Sequence, residues 1–380
     1  MRISVPTIPQ SILSSPSSLP RISPAEAVER IASFIGPGNV TVLTGAGVSV
    51  DSGVKAYRGK DGRYMNPNYK CNTLDLVSKG RYFTTNWSKT VLEAMPFGEQ
   101  RYWLRSYIGF PAVRDTLPNP THFSLAALQH SSIVTQLVTQ NVDGLHHKAA
   151  RRVWDEERIR DHILELHGTL HKVHCNHGHG MDRNSFQALL SAANPQWAAW
   201  MDDIKKKGQK PKTNPDGDVV LEGVSYDDFV VPDCPSCMNE GRHNNVSRMI
   251  LNWKMLLLQP SYKIIEECDR LFLMGTTLAT YSAFRLLKHA LELQKPVLFL
   301  NVGPTRADGI QGIEKLEIPS GLVMRDVVKA VVADTNHNSG TRATYDPALR
   351  DMLLSGVVIP RTDKFNNDDF EEVPPIPLSL

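Results

Sequence analysis

The chain has 380 residues, 41% of them hydrophobic and 22% charged, enough apolar material for one large domain or two ordinary ones. Its 42 basic residues stand against 40 acidic ones, so the charge balance points to neither nucleic acid nor an anionic membrane surface. The most apolar run, Met249 to Leu258, is short and carries Asn252 and Lys254, which excludes it as a membrane span. The five cysteines Cys71, Cys175, Cys234, Cys237 and Cys268 are odd in number and irregular in spacing. That pattern fits a reduced chain with a metal role for some thiols, not a disulfide scaffold, and it leaves Cys71 and Cys268 as small buried apolar residues.

The first residues are Ser- and Pro-rich, contain Arg2 and Arg21, and show no acidic side chain before Glu26. This composition suits a mitochondrial targeting segment or a plain disordered tail in equal measure. Order is expected from Ser23, where Ser23-Pro24-Ala25-Glu26 has the form of a capping box, with a helix running to Phe34 and stopping at Gly36-Pro37. Val40 to Leu43 reads as a buried strand and opens into Thr44-Gly45-Ala46-Gly47-Val48-Ser49. A glycine loop after a strand lets backbone approach a pyrophosphate, and Ser49 could donate a hydrogen bond to it. Val50 stands where the usual fingerprint has its third glycine.

Further strands are expected at Ile133 to Thr139, Ile163 to Leu166, Leu271 to Met274 and Val297 to Leu300, with helices over Ser282 to Leu293 and Val323 to Ala333. Alternation of this kind implies a doubly wound, Rossmann-like parallel α/β sheet. Its strand ends carry Gln140, Asn141, Val142 and Asp143, then His167, then Gly275-Thr276-Thr277, then Asn301-Val302-Gly303. Polar and small residues at successive carboxyl ends are where open sheets bind ligands. Two long segments interrupt the alternation, 57–120 and 170–261. They are expected to build a smaller helical and zinc-binding domain, with ligand held in a cleft. The large domain would comprise 23–56, 121–169 and 262–335, preceded by the tail 1–22. A partly disordered extension would follow over 336–380.

With GAGVS, YRG, TQNVDGLH, ELHG and GTT in this order, the chain resembles the sirtuins, the NAD-dependent protein deacylases, from about Ser23 to Ala333. NVGPTRADG and QRYWLRSYIGFP resemble the class II branch, which includes mitochondrial enzymes. The resemblance implies that NAD is consumed. The acyl oxygen of a modified protein lysine attacks the nicotinamide ribose, and nicotinamide and O-acyl-ADP-ribose leave. It assigns His167 as general base on a ribose hydroxyl, a task suited to imidazole. Asn141 would hold a ribose hydroxyl or water, Asp143 the nicotinamide carboxamide, and Gln140 the same ribose. Gly45, Ala46, Gly47 and Ser49 would line the phosphates; Gly275, Thr276, Thr277, Asn301, Val302 and Gly303 would form the adenosine side. Tyr57 and Arg58 would cover the nicotinamide pocket. Tyr102 and Arg105, three apart on one helix face, match the pair that binds acidic acyl groups in some class II members.

Cys234-x-x-Cys237 is half of a structural zinc site. The family supplies a second C-x-x-C near Cys175, but here Gly178 stands in the fourth position, so His179 or His177 would complete a Cys3His set with Cys175, the longer loop to His179 being favoured. The family's K-P-x-V-V-x-F-G-E substrate segment is also missing; Val246 to Pro260 reads otherwise, through an altered coding segment or natural variation of the groove. The expectation is a monomeric NAD-dependent deacylase acting on acylated protein lysines, mitochondrial or else cytoplasmic or nuclear. A protein mono-ADP-ribosyltransferase and a catalytically impaired NAD-binding protein are the alternatives.

Overall fold

A computed structural model describes residues 22–54, 98–208, 219, 225, 227–241, 249–252, 258–338 and 346–360. The expected targeting segment, the pair Tyr57 and Arg58, and Cys71 lie outside the described residues. The described residues divide between two compact units. One takes those up to 54 together with 116–167 and 258–360, and the other takes 98–115 and 168–252.

The first unit is a six-stranded parallel sheet with strand order β3-β2-β1-β7-β8-β9. Its strands are β1 (Val40–Thr44), β2 (Val134–Thr139), β3 (Ile163–Glu165), β7 (Arg270–Met274), β8 (Val297–Leu300) and β9 (Ile313–Leu316). From β1 the chain winds one way through β2 and β3 and, after the second unit, the other way through β7, β8 and β9. The switch point therefore lies between β1 and β7, which pair in parallel from Val40↔Arg270 to Thr44↔Met274.

Both faces of the sheet are covered, which is why its strands read as continuous apolar runs. On one face Val40 and Val42 join Ile31 and Ile35 of α1 (Pro24–Ile35), Leu125 and Leu128 of α3 (Pro120–His130), Val327 and Val331 of α11 (Ser320–Asn338), and Leu349 and Met352 of α12 (Pro347–Leu354). On the other, Leu43, Leu271 and Leu273 meet Ile265 of α9 (Leu258–Glu267) and Leu286 and Leu287 of α10 (Tyr281–Glu292). Each such side chain contributes about 1.5–3 kcal/mol by leaving water.

The helix starts differ in detail from their sequence signals. Ser23 Oγ accepts from Glu26 N at 3.2 Å, but the Glu26 carboxylate pairs with Arg30 one turn on. Only half of the expected capping box forms on α1. A complete box occurs on α3, where Asn119 and His122 exchange backbone and side-chain hydrogen bonds. That helix is buried on nearly every side, so it carries no amphipathic stripe by which it could be found. The expected C-terminal extension supplies α12, whose side chains enter the core. After α12, Val357 N donates to Pro118 O and Ile359 N to Asp51 O.

The second unit holds α2 (Gly98–Asp115), α6 (Arg183–Ala193), α7 (Pro195–Lys206) and α8 (Pro235–Asn239). It also holds an antiparallel sheet of order β5-β4-β6, formed by β4 (Thr169–Cys175), β5 (Gly180–Asp182) and β6 (Met249–Asn252). The segment expected to hold the substrate strand thus supplies β6, paired to β4 at Val173↔Leu251 and His174↔Ile250. Arg183 is buried among Trp103, Phe110 and Phe186. Its guanidinium donates to Gln187 Oε1 and Ser106 O, and burial lowers its pKa to about 10.

Gly356 is the tightest point of the C-terminal segment. It has φ +112, and a Cβ there would lie 2.6 Å from Pro120 N. Gly356→Ala is expected to cost about 1–3 kcal/mol in urea or thermal unfolding. Gly180→Ala, whose Cβ would meet nothing within 4 Å, is the control expected to stay within about 0.5 kcal/mol. Equal effects at the two positions would show that the segment does not pack as described.

Candidate functional site

The carboxyl ends of β3, β2, β1, β7 and β8 carry the five short stretches singled out in the sequence, His167 following β3. After β1 the chain enters a 3-10 helix, Ala46–Ser52, rather than an open loop. Gly47 N donates to Gly275 O at 2.8 Å, and Gly45 N to Met274 O at 3.1 Å. A Cβ at Gly45 would come within 2.7 Å of Thr276 Cβ, and one at Gly47 within 2.7 Å of Gly275 O. These glycines are therefore demanded by the loop after β7 pressing on the loop after β1. The same two glycines are the ones the sequence reading expects beside a pyrophosphate. Their first role is to bring two strand ends into contact.

Ser49 also differs from expectation. It is fully buried, and its hydroxyl donates to Asp143 Oδ2 at 2.8 Å instead of turning outward as a phosphate donor. Asn141 Nδ2 donates to Ser49 Oγ at 3.1 Å and to Gly45 O at 3.2 Å. Leu145 N donates to Asp143 Oδ1 at 3.0 Å. Asp143 is only 4% exposed. Burial pushes its carboxyl above the usual range, against the opposing hydrogen bonds from Leu145 and Ser49 and the charge of Lys148. Such a carboxyl can accept from an amide NH2 or, when protonated, donate to an amide carbonyl.

Beneath this network lie two histidines that sequence reasoning missed. His122 Nε2 is 3.3 Å from Ser49 Oγ, and His146 Nε2 is 3.0 Å from Thr44 Oγ1. Burial takes the His122 pKa down to about 3 and holds His146 well below its ordinary value, with the two neighbouring histidines adding to the effect. Both rings are neutral supports. Asn119 Nδ2 anchors the 3-10 helix through Val48 O at 2.7 Å. The signal that could have found this framework was Asn119-Pro120-Thr121-His122, an N-cap followed by proline, with histidine in the place usually given to Glu.

Gln140, expected to touch a ribose, uses its side chain internally. Nε2 donates to Thr276 Oγ1 at 2.8 Å and to Thr44 O at 3.2 Å, while Oε1 accepts from Thr280 Oγ1 at 3.0 Å. Its backbone carbonyl lies 3.0 Å from His167 Nδ1. A carbonyl only accepts, so Nδ1 carries the ring proton and Nε2 of the neutral ring carries the lone pair. Burial lowers the His167 pKa, opposed by the Gln140 carbonyl, so the ring is neutral near pH 7. That is the state a general base requires. Asn301, buried, donates to Val302 O and Gly303 O. Thr277 O accepts from Arg306 N at 2.9 Å, and Val302 is 58% exposed. Val142 is buried beside Asp143.

In the second unit Cys175, His179, Cys234 and Cys237 place one donor atom each within 4.8 Å of one another. His179 Nδ1 lies 3.5, 3.7 and 3.3 Å from the sulfurs of Cys175, Cys234 and Cys237, whereas His177 Nδ1 approaches Cys237 at 3.3 Å. Glu240 Oε1 stands 3.2 Å from His179 Nε2 and directs Nδ1 at the thiols. The geometry thus selects His179. Three thiols and an imidazole fit Zn2+ and fill its tetrahedron, the donor set of a structural site with no open position. Tyr102 and Arg105 share α2, where Tyr102 packs edge-on to Trp103 and Arg105 Nε donates to Val219 O at 2.7 Å.

A doubly wound sheet with a polar reaction centre at its switch point and a Cys3His module defines the class. Residues 45–282 match the Sir2 family, and the chain belongs to that family. It is 34% identical over 298 residues to "NAD-dependent protein deacylase SIR4" of Batrachochytrium dendrobatidis, covering 77% of this chain and 90% of that protein. It is 32% identical to "NAD-dependent protein deacylase sir-2.2" of Caenorhabditis elegans, covering 74% and 88%. Among solved structures, a Sir2 homologue–NAD complex superposes with TM-score 0.52 at 20% identity, covering 80% of this chain and 94% of the other. A mutant Sir2 homologue in an ADP-ribose complex gives 0.53 at 19%, covering 83% and 99%. The sheet is therefore the sirtuin fold.

Replacing Glu240 by Ala is expected to weaken Zn2+ retention about 10–100-fold in competition with a chromophoric chelator, as loss of a histidine's outer carboxylate does elsewhere. Unchanged retention in that variant, with loss in His177→Ala, would move the fourth ligand to His177.

Proposed function

We propose that this chain is an NAD-dependent protein-lysine deacylase. The observation that carries the reading is His167. It is a neutral imidazole with Nδ1 pinned to the Gln140 carbonyl and its lone pair on Nε2, on the same sheet edge as the buried carboxyl of Asp143. The family membership and the names of its relatives support the reaction class.

NAD would supply the ribose carbon that accepts the acyl oxygen as nicotinamide departs. The polar set at these strand ends suits that molecule. Asp143 matches a carboxamide, Asn141 lies beside it, and Thr276 and Asn301 are buried hydroxyl and amide groups at the adjoining ends. His167 would take the proton of a ribose hydroxyl at Nε2, freeing that oxygen to receive the acyl group. Asp143, held by Ser49 and Leu145, would orient the carboxamide without needing to move. Ser49 and Gln140 would act indirectly, through Asp143 and His167. The Cys3His site would hold Zn2+ as a clamp on the second unit and take no part in proton transfer.

Tyr102 and Arg105 support an acidic acyl preference through phenol and guanidinium chemistry. The basic, acid-free composition of the first 21 residues supports mitochondrial delivery. Tyr57 and Arg58 belong to this reading as the nicotinamide cover.

The test is acyl-lysine-dependent nicotinamide release. His167→Ala is expected to lower kcat about 10²–10⁴-fold while NAD still binds. Steady-state formation of O-acyl-ADP-ribose at the wild-type rate in that variant would remove His167 from the reaction. Labelled NAD whose label ends on protein, not on free acyl-ADP-ribose, would favour ADP-ribosyl transfer instead.

A further inference from the structure

The first turn of α10 departs from ordinary helix chemistry. Thr280 is its N-cap, yet its side chain makes no capping hydrogen bond. Its hydroxyl donates instead to Gln140 Oε1 at 3.0 Å. Two residues on, Ser282 Oγ lies 2.7 Å from His167 Nε2. Thr, free at an N-cap, ordinarily satisfies the helix's own exposed N–H groups, a contact typically worth about 1 kcal/mol. Here that contact is given up, and both hydroxyls are turned on the pair that forms the base and its anchor.

The protonation pattern makes the Ser282 contact specific. Because Nδ1–H is spent on the Gln140 carbonyl, the neutral ring has one remaining polar position, the Nε2 lone pair. Ser282 must therefore donate its proton to it. The imidazole is then held at both edges in its own plane, by a main-chain carbonyl after β2 and by a hydroxyl from α10. With the Nδ1 contact alone the ring keeps its tautomer but can swing about its side-chain bonds.

We propose that Ser282 is a positioning residue for the base: in the resting enzyme its hydroxyl occupies the Nε2 lone pair and sets the plane of the His167 ring, and a substrate hydroxyl takes its place on that lone pair when it delivers its proton. It acts through His167 and need not touch the reacting atoms. Thr280 is its companion, fixing the Gln140 amide and with it the carbonyl that anchors the other edge. This inference rests on the deacylase reading for its consequence in turnover. The hydrogen bond itself does not.

The experiment compares wild type, Ser282→Ala and Ser282→Thr in the full chain, by nitrogen NMR of His167 and by steady-state kinetics with an acyl-lysine peptide. In Ser282→Ala the Nε2 resonance of the neutral ring should move toward that of a lone pair without a donor, while Nδ1 stays protonated. kcat should fall about tenfold with KM for NAD nearly unchanged, the scale of losing one hydrogen bond's worth of orientation. Ser282→Thr, which keeps the hydroxyl and shows the fold intact, should restore both readouts. An unshifted Nε2 resonance in Ser282→Ala overturns the proposal, as does wild-type kcat in that variant when wild type turns over. If wild type shows no turnover on any acyl-lysine, the deacylase reading fails, and the Nε2 resonance still decides whether Ser282 holds the ring.

Discussion

The hydrogen bond from Gly47 N to Gly275 O brings the end of β1 against the end of β7, and the chemistry of the first unit is arranged around that contact. At the switch point of a doubly wound sheet the connecting chains diverge and leave a crevice above two adjacent strands. Here the loops lining that crevice meet backbone to backbone, too closely for any Cβ at Gly45 or Gly47. The 3-10 helix that follows is thereby aimed so that Ser49 reaches Asp143. The carboxyl of Asp143 can then stay buried, because Ser49 Oγ and Leu145 N each donate to one of its oxygens.

Around that contact two kinds of residue divide the work. Asp143, Asn141 and His167 are the residues to which the proposed reading gives contact with NAD. Ser49, Gln140, His122, His146, Asn119 and Thr280 spend their polar groups on neighbouring side chains and on the backbone. In a low-dielectric setting a half-satisfied network of this size would be costly, and a fully paired one is rigid. The second unit uses a different device, three thiols and a histidine backed by Glu240. It substitutes metal coordination for part of the packing that a small three-stranded sheet cannot supply.

Much of this was legible in the sequence. Strands buried on both faces appear as short β-branched runs, and the polar residues that end them mark the ligand edge. What stayed hidden was the direction in which individual side chains spend their hydrogen bonds. Ser49 and Gln140 sit where phosphate and ribose contacts are expected, yet their partners lie 94 and 136 residues away in the chain, and such pairings leave no local trace. α3 was hidden because a helix buried all round has no polar face. β4 was hidden because Thr169 to Cys175 mixes histidine and lysine into its alternation, and β9 because this edge strand sets Glu314 and Lys315 between its two apolar ends. The choice of His179 over His177 could not be made by spacing. It took Glu240, 61 positions along, to settle which ring faces the thiols.

The central claim is that this sheet edge transfers an acyl group from lysine to the ribose of NAD. Mass spectrometry of the products from an acyl-lysine peptide and NAD tests it most directly. The predicted result is a peptide lighter by the acyl group, with that mass recovered on ADP-ribose in equal amount to the nicotinamide released. Recovery of intact NAD beside a peptide that has lost its acyl group, or of NAD consumed with the peptide unchanged, would contradict it.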